Sequence, residues 1–81
     1  MTEQKVRQDQ IYIGGNIRRI RIAKHIGQTE LVRQLQLLGV DMTRETLVKI
    51  ERGTQHIRAS QLQGIRDALQ TTYDELLRPQ E

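Results

Sequence analysis

Apolar residues recur along most of the chain at the spacing of one helical face, and nowhere in the alternation of a strand. Ile13, Ile17 and Ile20 lie four and three residues apart, which predicts an amphipathic helix running to about His25, with Gly14 and Gly15 blurring its start. Leu31, Val32, Leu35 and Leu38 predict a second helix over "QTELVRQLQLLG", closed by Gly39 as a natural C-cap. The four residues "GVDM" lead to Thr43, the N-cap of a third helix, "TRETLVKIERG", whose apolar side is only Leu47 and Ile50. Leu62, Ile65, Ala68 and Leu69 mark a fourth helix in "RASQLQGIRDAL". Gly64 inside it costs about 1 kcal/mol relative to Ala, a sign of close packing. Thr72 and Glu75 read as a capping box that opens a short fifth helix, with Leu76 and Leu77 behind it and Pro79 closing it. The stretch "MTEQKVRQDQ" is polar and unpatterned. The expected organisation is a frayed tail over 1–10, one all-α domain of five short helices over 11–78, and a short tail over 79–81.

Composition narrows the chemistry. Eighty-one residues make one small domain with a modest core, too little for a core and a catalytic cleft together. With no Phe or Trp and two Tyr, that core must be aliphatic. The absence of Cys excludes disulfides, thiolate metal sites and a thiol nucleophile. No apolar run approaches the roughly 20 residues of a membrane helix, and no signal peptide opens the chain. No membrane association and a cytoplasmic location are therefore expected. His25 and His56 are isolated, with no second metal ligand at helical spacing. Asp74 and Glu75 are adjacent, which on a helix turns them apart, and Gly14–Gly15 lacks the strand and glycine pattern of a phosphate loop. No catalytic residues, metal or cofactor are expected, and the chain does not read as an enzyme.

Charge is uneven. Residues 16–58 hold nine Lys or Arg against four Asp or Glu, a balance of +5, whereas residues 59–81 balance to −2 and residues 1–15 to zero. A basic region that coincides with short amphipathic helices suits a polyanion, although a solvated helical surface has the same signature.

Two helices joined by a four-residue turn containing Gly form a helix-turn-helix over residues 28–53, a motif whose second helix enters the DNA major groove. That explains the sparse apolar side of "TRETLVKIERG". A recognition helix needs one thin stripe to hold it on the domain, and long donors and acceptors elsewhere to reach base edges. The motifs Gln28-x-Glu30-Leu31, the run Thr43 to Gly53 ending in "IERG", Ile65-x-x-Ala68-Leu69 and "DELL" follow in order. Together they resemble the phage repressor and Cro-type helix-turn-helix family, the xenobiotic-response-element type of regulators, from about Ile13 to Leu77. The resemblance implies a compact, repressor-like five-helix DNA-binding domain. Three positions depart from the common pattern: Gly27 stands where Thr is usual, Val32 where a small Ala is usual, and the interval from Leu31 to Glu51 is about five residues longer. That surplus is expected in an extra turn of the first motif helix, as in a long-spacing branch of the family.

The same resemblance implies roles residue by residue. Arg44, Glu45 and Lys49 match positions that face base edges. Gln28 matches a glutamine that binds a DNA phosphate, Thr46 and Arg52 match positions close to the backbone, and His56 lies in a loop set against phosphate or is simply a surface histidine. Arg21 matches the helix-1 arginine that pairs with the acid of "IERG", here Glu51. An acid in the last turn of a helix opposes the macrodipole, so a basic partner is also expected on physical grounds. Arg18 and Arg19 read as a solvated helix face, with one of them able to reach a phosphate. Ile57, Tyr73, Leu76 and Leu77 either complete the core or make dimer contacts.

The implied function is a sequence-specific DNA-binding transcriptional regulator, a homodimeric repressor reading an inverted repeat in double-stranded DNA. Glu45 accepting from cytosine and Arg or Lys pairing with guanine suggest a G·C-containing half-site. Activation through RNA polymerase stays open, as does an antitoxin-like or adaptor role with a toxin or other protein as main partner. A bacterial cell is the implied setting, with a chromosomal, phage or plasmid gene all compatible.

Overall fold

Helices form over each apolar stripe in the computed structural model, which describes residues 5–6 and 12–79. Among the described residues five helices run in order: α1 (Ile13–Ala23), α2 (Gln28–Leu37), α3 (Arg44–Arg52), α4 (Ala59–Leu69) and α5 (Tyr73–Leu76). Helix α1 lies against α3 and α5, and α2 packs on α3 and α4. Ile13, Ile17, Leu31, Leu35, Leu47, Ile50, Ile65 and Leu76 are fully excluded from solvent at the centre. Burying each such side chain contributes about 1.5–3 kcal/mol. No helix among the described residues is long and apolar enough to cross a membrane.

Helix ends follow local chemistry. Helix α1 stops at Ala23, short of His25, because His25 adopts a left-handed φ of 60°. The Ile26 N–H then bonds back to the Arg21 carbonyl. At the end of α2, Gly39 turns left-handed at φ +80°. Its N–H reaches Gln36, and the Val40 N–H reaches Leu35, which satisfies two carbonyls the helix leaves open. This turn brings Val40 back onto the core. Leu38 therefore does not continue the buried stripe: it is 55% exposed and Leu37 is 80% exposed. Met42, within the turn, is instead buried, and the Gln36 amide donates to its carbonyl at 3.1 Å.

Two further expectations change. The short fifth helix is capped from one side only: Thr72 Oγ1 accepts the Glu75 N–H at 3.2 Å. The Glu75 carboxylate turns to Arg19 at 3.7 Å and Arg78 at 3.9 Å rather than back to the cap. A two-stranded antiparallel ribbon also forms, β1 (Lys5–Val6) with β2 (Ile57–Arg58), pairing Lys5 with Arg58 and Val6 with Ile57. Two-residue strands leave no alternation for a pattern to detect. The expected frayed tail over 1–10 otherwise lies outside the described residues, as do residues 80–81 of the C-terminal tail.

Candidate nucleic-acid interface

Helix α3 is held at both ends and along one thin side. Thr43, in extended conformation, accepts the Thr46 N–H at 3.1 Å, and its own hydroxyl donates to Thr46 Oγ1 at 3.0 Å. Gly53 ends the helix at φ +78°, a backbone region that only glycine enters at little cost. Leu47 and Ile50 are fully buried beneath it. Arg44, Glu45, Lys49 and Arg52 are exposed. Lys49 Nζ lies 3.4 Å from Glu45 Oε1, with both side chains at least half exposed. Such surface pairs are worth roughly 0–1 kcal/mol, so either head can leave its partner at small cost.

At the C-terminal end of α3, Glu51 is buried against α1. Arg21 donates to it twice, Nε to Oε2 at 2.8 Å and Nη2 to Oε1 at 2.9 Å, and its Nη1 donates to the Ile26 carbonyl at 2.9 Å. Gln28 adds a bond from Nε2 to Glu51 Oε1 at 3.1 Å. These contacts tie α1, the loop after it, the start of α2 and the end of α3 into one polar hub. Its buried side-chain nitrogens and oxygens are all satisfied among the described residues.

Among the described residues, two hollows flank α3. One, of about 280 Å³, is lined by Arg18, Gln28, Arg44, Val48, Glu51 and Arg52. It opens beside the N-terminus of α2, where Gly27 provides no side-chain cap for the first-turn N–H groups. The other, of about 430 Å³, is lined by Asp41, Met42, Thr43, Thr46, Gln55, His56, Arg58 and Gln61. Buried Gln61 builds its wall: Oε1 accepts the Arg58 N–H at 2.9 Å, and Nε2 donates to the Asp41 carbonyl at 3.4 Å. Gln28, Arg44 and Arg52 thus share one hollow, Thr46 and His56 share the other, and Glu45 and Lys49 belong to neither.

The four dimer-contact candidates do not behave alike. Ile57 and Leu76 are fully buried within the single chain, so their side chains belong to the core and have no surface to offer a partner. Tyr73 is 37% exposed beneath the Arg66 guanidinium, 4.6 Å from its ring centre, and Leu77 is half-buried. Conversely, Arg58 lines a hollow although only β2 and the N-terminus of α4 bring it there. Val48 lines the other between Arg44 and Arg52, and its spacing of four from each was the available signal. Asn16, inside the stripe of α1, is buried with its amide on two carbonyls, Leu76 at 2.9 Å and Arg78 at 2.8 Å.

No protein-family model and no curated protein matches the chain. Among solved structures it is similar to a hypothetical transcription factor, NHTF, from Neisseria, at 30% identity and a TM-score of 0.72. That match covers 98% of this chain and 86% of the other. It is also similar to the restriction-modification controller protein C.AhdI from Aeromonas hydrophila, at 26% identity and a TM-score of 0.69, over 82% of this chain and 92% of the controller.

Proposed function

The chain belongs to the phage repressor and Cro-type helix-turn-helix family of DNA-binding transcription regulators, and on that premise we propose that it acts as a homodimeric repressor reading an inverted repeat. The observation that carries this reading is the exposed polar face of α3 between two hollows that both hold basic side chains. In the major groove, such a helix has a phosphate strand on each side. Glu45 and Lys49 read base edges from the outer face, and Arg44 reads them from the rim of the first hollow. Gln28 and Arg52 hold the backbone on one side and Thr46 and His56 on the other. Phosphate contacts set register, and base contacts choose sequence. One small module discriminates modestly, so two copies on half-sites about one helical turn apart supply the specificity. Repression then follows from occupying a promoter.

Lys49→Ala and Gln28→Ala separate the two kinds of contact. Binding is measured on a preferred duplex and on single-base variants of it. Lys49→Ala should flatten the differences between sequences, while Gln28→Ala should weaken all of them about equally. A matching, sequence-blind loss in both variants would remove the base-reading role of Lys49.

A further inference from the structure

The hollow beside the N-terminus of α2 gathers more positive charge than the helix-turn-helix itself supplies. Arg44 and Arg52 reach it from α3, and Arg18 reaches it from α1. Its one lining carboxylate, Glu51, is already occupied by both prongs of Arg21 and by the Gln28 amide. The three arginines are exposed, and among the described residues their side chains make no hydrogen bond or ion pair. Like charges around one concavity repel, and solvent screens them only in part at this range. An anion in the hollow relieves that repulsion, and α2 begins at Gln28 on its lining with no side-chain cap on its first turn.

Arg19, the next residue along α1, is placed differently. Its Nη2 lies 3.7 Å from Glu75 Oε2, toward α5, and it lines no part of this hollow. The two arginines of "NIRRI" share a separate hollow with Tyr12 and Ile22, but only Arg18 also lines the one beside α2 and α3.

Resting on the DNA-binding reading above, we infer that Arg18 is a DNA backbone contact outside the helix-turn-helix. Its guanidinium closes the α1 side of the hollow around one phosphodiester, whose other sides meet Gln28, Arg52 and the first turn of α2. The contact is blind to sequence. It sets how deeply α3 sits in the groove and adds to the salt dependence of binding.

The test compares Arg18→Gln, Arg18→Lys and Arg19→Gln with the wild-type chain. Affinity for a preferred and an unrelated duplex is measured across a series of salt concentrations, with thermal melting as a check on the fold. Arg18→Gln should weaken both duplexes by roughly tenfold, the scale of one lost hydrogen bond to a charged group. Its salt slope should fall by about 0.9 per chain bound, one phosphate's worth of released counterions. Arg18→Lys should restore the slope, and Arg19→Gln should leave it at the wild-type value. An unchanged slope in Arg18→Gln, with Lys49→Ala still altering base preference, overturns the Arg18 contact and leaves the DNA reading standing. A wild-type chain that binds no duplex at any salt overturns both.

Discussion

Arg21 of α1 and Glu51 of α3 meet as a two-pronged pair, 2.8 and 2.9 Å, with their side chains only 9% and 3% exposed. The acid sits in the last turn of α3, where the helix dipole disfavours it, and the guanidinium offsets that. The pair fastens α3 to α1 at the end opposite its Thr43 cap. Removing one partner leaves the other charged and buried, so Glu51→Ala should lose about 3–5 kcal/mol in urea unfolding. Replacing both, as Arg21→Met with Glu51→Leu, should return most of that loss, because an apolar pair of similar size avoids the desolvation cost. An additive double variant would mean that the two residues stabilise the fold independently.

Asn16 does for α5 what Arg21 does for α3. Its amide donates to the carbonyl of Leu76, which the short helix leaves unpaired at its end, and to that of Arg78 two residues beyond. Asn16→Asp removes both donors and points a carboxylate at two carbonyl oxygens. We expect it to cost about 2–3 kcal/mol, from unsatisfied buried groups, and to speed hydrogen exchange at Leu76 and Leu77 more than in α2. Equal protection in both places would show that α5 is held by its apolar contacts alone.

Gly64 faces a different constraint. A Cβ there would lie 2.7 Å from Val40 Cγ2 and 3.1 Å from Leu35 Cδ2. Val40 is β-branched, so its methyl cannot rotate away cheaply. Overpacking of about 1–3 kcal/mol then outweighs the gain of about 1 kcal/mol from helix propensity, and Gly64→Ala should lower the melting temperature. In a Val40→Ala background the same change should raise it. A rise in both backgrounds would mean that α2 and α4 separate without penalty.

The helices were legible because each needs a buried stripe, and a stripe is written in residue spacing. Leu47 and Ile50, or Leu62, Ile65 and Leu69, can be read in one dimension and are buried in three. Leu38 was misread because periodicity does not report where neighbouring helices end. The turn at Gly39 sends Val40 over the core in its place. The β1–β2 ribbon was invisible because two paired residues have no period. The polar face of α3 was legible for the same reason as its apolar one. The hollows beside it were not, since Arg18, Gln28 and Arg52 come from three elements and converge only through packing.

Selection of tight-binding duplexes from a randomised pool at about physiological salt, where purely electrostatic binding fades, separates base reading from simple charge attraction. A homodimeric reader should select an inverted repeat with G·C pairs in each half-site, the half-site centres about 10 base pairs apart, one helical turn. Recovery of no motif, with binding that disappears as salt rises, would contradict that reading: the basic face would then hold DNA without reading it.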